Sequence, residues 1–142
     1  MPSCTFFGHR DCPSHIKPKL RAAIIDMIEN RAVDCFYAGS QGAFDAMAGS
    51  LFRELRSLYP SVRFYIVLDR MPDREDPTLS SEHTLLPEGI ETVPPRFALV
   101  KRNEWMLKKS DYVISYVIRS FGGAAKFQAM AIRKGKTVVS LS

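Results

Sequence analysis

The sequence predicts an α/β fold, a three-layer α/β/α sandwich with a mainly parallel five-stranded sheet. Three observations support this prediction. Short apolar runs alternate along the chain with stretches whose apolar residues recur at helical spacing. Glycine occurs where strands give way to helices, and 142 residues suffice for one domain but not for two ordinary ones. Because such alternation gives a parallel sheet with helices on both faces, we expect one domain over residues 1–142.

The first half of the chain begins with the aromatic run at 4–9, which predicts the first strand, and 33–38 predicts the second. Helices are expected over 17–30 and 43–58, the latter ended by Pro60, which cannot continue a helix. The residues expected to face the core are Leu20, Ile24, Met27 and Ile28 in the first helix and Phe44, Met47, Leu51, Leu55 and Leu58 in the second.

The second half begins with a near-continuous apolar run at 63–68, the third strand, as expected of a parallel strand covered on both faces. A helix over 96–109, a strand at 112–118, a fourth helix and a last strand at 137–141 complete the pattern. The apolar anchors expected in these helices are Phe97, Val100, Trp105 and Met106, then Phe127, Met130, Ala131 and Ile132.

Residues 69–95 show no periodicity and carry five of the nine prolines. Connections of this length are usually lids, binding loops or disordered segments, so 70–95 is expected to be a long loop or lid.

Bulk composition favours a cytoplasmic location, because no apolar run could span a bilayer and no basic-then-apolar signal opens the chain. Three cysteines in no metal-binding spacing predict reduced thiols, and neither a metal nor a cofactor is expected. The net charge of +5 is spread along the chain, which argues against nucleic acid as the main partner.

Three glycine-bearing loops follow predicted strands and should meet at one edge of the sheet, because right-handed crossovers place all strand-to-helix loops there. They are Gly8-His9-Arg10, Gly39-Ser40-Gln41-Gly42 and Gly122-Gly123-Ala124. A glycine pair before a helix lets backbone amides approach an anion closely, and phosphate is the usual anion. The sequence therefore predicts a nucleotide-type ligand at this edge.

Several side chains near these loops could contact such a ligand. Arg10 could fork onto a phosphate and His9 could donate to one, although His9 could instead cap its loop and Arg10 pair with an acid. Ser40 and Gln41 could donate to phosphate or ribose oxygens. Lys126 could neutralise a phosphate or simply be solvated.

Arg102, on the third predicted helix, could reach back towards a phosphate or pair with Glu104 at the surface. Asp45 could hold a ribose hydroxyl, assist at an anomeric carbon or complement a helix dipole. Asp69 has similar alternatives, because an acid often begins a polar loop.

As an ordered set, five segments resemble the SLOG superfamily, which includes the Smf/DprA proteins and the LOG phosphoribohydrolases, and especially its small stand-alone bacterial branch. The segments are 7–10, 39–48, 102–106, 110–114 and 122–126. The resemblance implies a Rossmann-like fold and binding of a nucleotide or nucleotide-derived ligand. Relatives often pair through helices, so a homodimer is a further expectation.

The chain departs from the enzymatic LOG pattern Pro-Gly-Gly-x-Gly-Thr-x-x-Glu, because Ala129 stands where that pattern has its catalytic glutamate. We therefore expect a domain that senses or sequesters a phosphorylated ligand. The alternatives are an N-glycosidase or deoxyribosyltransferase-like enzyme using Asp45 or Asp69, and, more remotely, single-stranded DNA binding.

Overall fold

The computed structural model describes residues 2–71 and 81–142, in which six strands and four α-helices follow one another. Their bounds in chain order are β1 Ser3–Gly8, α1 Lys17–Arg31, β2 Cys35–Ala38, α2 Gly42–Leu58, β3 Arg63–Val67, β4 Thr84–Leu85, α3 Pro95–Lys109, β5 Tyr112–Tyr116, α4 Gly123–Arg133 and β6 Thr137–Ser140. Every predicted helix is present, and the five predicted strands appear with ends shifted by a few residues.

The strands form one sheet in the order β4-β3-β2-β1-β5-β6, and every pairing is parallel. The predicted α/β class is confirmed, but the predicted number of strands is wrong. The additional strand, β4, has two residues and pairs with Ile66 and Val67 of β3. It lies inside the segment predicted as a loop over 70–95, of which residues 72–80 lie outside the described part.

The sheet is covered on both faces, as the three-layer prediction requires. Side chains of β1 show the division: Cys4 and Phe6 pack with α1 and α2, whereas Phe7 packs with α3 and α4. The core between the sheet and helices α1 and α2 is rich in aromatic rings. The stacked rings of Phe36 and Phe64, for example, have centroids 5.3 Å apart. Since β1 lies between β2 and β5 at the centre of the sheet, it contributes side chains to the cores on both faces.

Three residues predicted to face the core are exposed instead. Leu58 ends α2, Phe97 lies in the first turn of α3, and Ile132 lies near the end of α4; their exposed fractions are 58%, 48% and 60%. The apolar periodicity of a helix continues to its ends, but those ends extend beyond the sheet against which the middle of the helix packs.

The chain runs from β1 to β3 towards one edge of the sheet and from β5 to β6 towards the other. Consequently α1 and α2 cover one face and α4 the opposite face. The loops after β1 and β5 diverge at this reversal of direction, which is where open parallel sheets form a crevice.

Candidate functional site

A cavity of about 460 Å³ lies at this crevice, beyond the carboxyl end of β1. Its walls come from the loops after β1, β2 and β5 and from one side of α3. The volume is within the range of small-molecule sites. The lining residues are Phe6, Phe7, Gly8, His9, Arg10, Asp11, Gln41, Asp45, Leu99, Arg102, Asn103, Met106, Arg119, Phe121, Gly122, Gly123 and Ala124.

The β5–α4 corner, residues 121–124, is open. Gly122 has a φ of +94°, and apart from adjoining residues no described atom lies within 4 Å of where a β-carbon would stand on Gly122 or Gly123. No side chain in the described part of the chain caps α4, and the amide of Lys126 donates to the Gly122 carbonyl at 3.1 Å. The amides before Lys126 are those that an α-helix leaves without an intrahelical acceptor, and they begin at the cavity wall.

The β2–α2 corner, residues 39–42, is closed. A β-carbon on Gly39 would stand 2.6 Å from both the Arg102 guanidinium and the Asp45 carboxylate. One on Gly42, whose φ is +87°, would stand 2.6 Å from the Arg10 backbone. The Ala43 amide donates to the Arg10 carbonyl at 2.8 Å, which joins this corner to the loop after β1.

Asp45 reaches the cavity from the first turn of α2. Its Oδ2 accepts the Gln41 amide at 3.0 Å, so the carboxylate also closes the turn that precedes the helix. Burial raises the pKa of Asp45 to about 6, although the Gln41 amide, Arg102 and Arg10 each favour the charged form. The carboxyl can therefore change its protonation state close to neutral pH.

Arg102 is a buried cation in the cavity wall, with 2% of the residue exposed. Its Nε and Nη2 donate to Asn103 Oδ1 at 3.2 and 3.0 Å, and Nη1 approaches the Val67 carbonyl at 3.5 Å. Within residues 2–71 and 81–142 no carboxylate lies within 4.0 Å of the guanidinium. Burial lowers the pKa of Arg102, against the attraction of Asp45 and Asp69.

The alternative surface pair of Arg102 with Glu104 does not form, because Glu104 pairs with Lys101 at 3.6 Å. Arg102 instead faces inward, as the interpretation as a phosphate-facing residue requires.

The loop after β1 holds the loop after β5 at two points. His9 Nε2 accepts the Ile118 amide at 3.0 Å, so this nitrogen is an acceptor and not the phosphate donor considered above. Desolvation, with Arg119 nearby, lowers the pKa of His9 and favours the neutral ring. Asp11 binds Arg119 through both oxygens at 2.6 and 3.0 Å, and this pair holds the pKa of Asp11 at about 2.

The cavity gathers most of the predicted site residues but not all of them. Those in its walls are Gly8, His9, Arg10, Gln41, Asp45, Arg102, Gly122, Gly123 and Ala124. Those outside its walls are Gly39, Ser40, Gly42, Asp69 and Lys126. Gly39 and Gly42 lie directly against wall residues. Lys126, in contrast, is exposed, and its ammonium is 5.8 Å from the Phe127 ring centroid.

Sequence reasoning missed Asp11, Leu99, Asn103, Arg119 and Phe121 as wall residues. Asn103 directly follows Arg102 in the sequence and accepts a hydrogen bond from its guanidinium. Because a buried arginine needs an acceptor, an asparagine beside it is a local signal that the sequence does contain. No local signal exists for Asp11 and Arg119, which are 108 residues apart in the sequence.

Other features of the described residues bear on the expected classes. No described helix is long and apolar enough to cross a membrane. Cys4, Cys12 and Cys35 are free and buried. Burial raises the pKa of each of these thiols, which keeps them protonated and unreactive.

The element order and the parallel sheet give this chain a Rossmann-like α/β fold. Neither a protein-family model nor a curated protein matches the sequence. Among solved structures, it is similar to the X-ray structure of DNA processing protein A (DprA) from Streptococcus pneumoniae, with a TM-score of 0.70 and 17% identity. The match covers 99% of this chain and 50% of that chain, so this chain spans about half the length of that protein. This likeness confirms the fold that the SLOG resemblance implied.

Proposed function

We propose that the chain binds a nucleotide or nucleotide-derived phosphorylated ligand in the cavity at the carboxyl edge of the sheet. The observation that carries the proposal is the buried guanidinium of Arg102 in the cavity wall, without a described carboxylate within 4.0 Å. A buried charge is costly unless it is paired, so an anion in the cavity would offset the desolvation of Arg102.

Charges and amides around the cavity support an anionic ligand. Arg119 is already paired with Asp11, which leaves Arg10 and Arg102 facing one wall carboxyl, Asp45. The open amino end of α4 adds backbone donors and the positive end of the helix dipole. An anionic group near Asp45 would favour the protonated carboxyl, whose pKa burial has already raised to about 6.

Calorimetric titration with mono-, di- and cyclic nucleotides tests the proposal. We expect at least one to bind, and Arg102→Met to weaken it roughly tenfold or more, because hydrogen bonds to a charged group contribute about 1.5–3 kcal/mol. Arg96→Ala is the matched control, because Arg96 is an exposed arginine of α3 outside the cavity. Failure of a folded wild-type protein to bind any nucleotide would contradict the proposal.

A second candidate is cleavage or transfer at an N-glycosidic bond, and the position of Asp45 favours it. A wall carboxyl with a pKa of about 6 is suited to general acid–base chemistry near neutral pH. Asp69 lies outside the walls and Ala129 is exposed on α4, so Asp45 is the preferred candidate. Release of free base from a nucleoside monophosphate, lost in Asp45→Asn and kept in Asp69→Asn, would support this activity.

A third candidate is single-stranded DNA binding, suggested by the likeness to half of a DNA processing protein. It requires a mobility shift that weakens steeply with salt, since phosphate contacts release counterions. A shift that survives Arg102→Met would place any DNA outside the cavity.

A further inference from the structure

We propose that Phe121 is the base-recognition residue of this cavity, stacking on an aromatic base while Arg102 and the amides at the start of α4 hold the phosphate. This inference rests on the proposed function and narrows the ligand to one that carries a base, as opposed to a simple sugar phosphate.

Phe121 is the most exposed of the large apolar residues in the described part of the chain, with 70% of its surface accessible. It also lines the cavity and directly precedes Gly122. Arg102, by contrast, is almost fully buried in the same cavity. The cavity therefore has a cationic, buried interior and an aromatic residue at its solvent side, which matches a ligand with an anionic end and a flat apolar end.

The segment that carries Phe121 is anchored to the loop after β1. The Arg119 guanidinium carbon is 6.0 Å from the ring centroid, and Arg119 is itself held by the double hydrogen bond to Asp11. The segment is anchored again where the Ile118 amide donates to His9. Anchoring the backbone before Phe121 reduces the ordering cost of this loop when a base stacks on the ring.

Phe97 provides an internal comparison. It too is exposed, at 48%, and has an arginine over its ring, with the Arg96 guanidinium carbon 4.8 Å from the centroid. Phe97 lies outside the cavity walls, whereas Phe121 is part of them. Among residues 2–71 and 81–142, an exposed phenylalanine beneath an arginine thus occurs twice, but in only one case beside the buried cation.

The test compares the 5′-monophosphates of adenosine, guanosine, cytidine and uridine with ribose 5-phosphate by calorimetry. We expect the tightest-binding nucleotide to bind with about tenfold higher affinity than ribose 5-phosphate. An effect of this size is what stacking of a base on an aromatic side chain contributes at nucleic-acid-binding sites. Phe121→Ala should remove that advantage and leave ribose 5-phosphate binding unchanged, whereas Phe97→Ala should change neither. Fluorescence of Phe121→Trp should respond to the nucleotide but not to ribose 5-phosphate.

The outcomes separate this inference from the proposed function. If ribose 5-phosphate binds as tightly as every nucleotide, or if Phe121→Ala keeps the nucleotide advantage, base recognition by Phe121 is refuted while phosphorylated-ligand binding stands. If the wild-type protein binds none of these compounds or the wider nucleotide panel, both proposals fail.

Discussion

The corners after β2 and β5 look alike in the sequence, since each follows a buried strand, carries two glycines and opens a helix. In the structure they differ in what occupies the space beside each glycine. At the β2–α2 corner, Arg102 and Asp45 occupy the space beside Gly39, and Arg10 occupies the space beside Gly42. At the β5–α4 corner, no described atom outside the adjoining residues lies within 4 Å of a β-carbon on either glycine.

Glycine therefore serves two purposes at one edge of this sheet. The closed corner uses the missing side chain to bring protein groups together, above all the Arg102 guanidinium and the Asp45 carboxylate. The open corner leaves that space empty beside a cavity. A glycine-rich junction thus indicates close approach of some group to the backbone, and only the neighbours decide whether that group belongs to the protein or to a ligand.

Gly42→Ala and Gly122→Ala test the difference most strongly. Both positions have positive φ, so both variants are strained, but only Gly42 would also place a methyl group against the Arg10 backbone. Gly122 also has a ψ of 173°, and this combination of angles is essentially restricted to glycine. We expect the free energy of unfolding to fall by about 4–5 kcal/mol for Gly42→Ala, from strain and overpacking together, and by about 2–3 kcal/mol for Gly122→Ala, from strain alone. Urea unfolding of both variants measures it, and equal losses would refute the distinction between the corners.

The closed corner should also make stability depend on pH through Asp45. Its pKa is raised from 3.8 to about 6, so the folded protein favours the protonated carboxyl. The contribution of this carboxyl to the free energy of unfolding is complete below about pH 4. As the pH rises to about 6 that contribution is lost, which lowers the free energy of unfolding by roughly 2–3 kcal/mol. Unfolding free energies across this range should show the decline in wild type and in Asp69→Asn, but not in Asp45→Asn. A decline that persists in Asp45→Asn would assign it elsewhere.

Gly39→Ala and Gly123→Ala form the next pair, and neither glycine has positive φ. Gly39→Ala meets the movable ends of Arg102 and Asp45, so we expect a loss of about 1–2 kcal/mol in unfolding free energy. Gly123→Ala meets open space and should leave stability unchanged or raised by up to about 1 kcal/mol. Calorimetry should then show weaker nucleotide binding for Gly123→Ala; unchanged binding would mean that the open corner receives no ligand.

The smallest effect is expected for Lys126→Ala. Although Lys126 belongs to the open corner's helix, it is exposed and outside the cavity walls, so screening by water limits its influence. Nucleotide affinity should fall less than about threefold, since an exposed charge pair contributes under about 1 kcal/mol. A loss comparable with that of Arg102→Met would show that the phosphate lies outside the cavity.

The sequence was sufficient to predict the order of the elements, because buried strands and amphipathic helices leave strong periodic signals. β4 was not predicted, because two residues are too few to show alternation. Its extended conformation depends on its pairing with β3. The exposure of Leu58, Phe97 and Ile132 likewise depends on where the neighbouring layer ends, which periodicity does not record.

The candidate site was predictable where chemistry and position coincided in a short segment. Arg102 was identified as a cation that could face inward, and the structure buries it in the cavity wall. The roles of Asp11, Arg119 and His9 depend on contacts between segments more than a hundred residues apart. Such contacts follow from the sheet order, in which β1 lies beside β5, and no local pattern contains them.

The central position of β1 has a consequence for synthesis of the chain. β1 finds its neighbour β2 early, but its other edge must wait for Tyr112–Tyr116, which emerges about a hundred residues later. At about 5–20 residues per second, that edge stays unpaired for roughly 5–20 seconds on the ribosome. The Ile118 and Arg119 partners of His9 and Asp11 arrive later still. The crevice is therefore among the last parts of the protein to form, and a nascent chain interrupted before residue 112 lacks β5, the open corner after it and the contacts that hold the loop after β1.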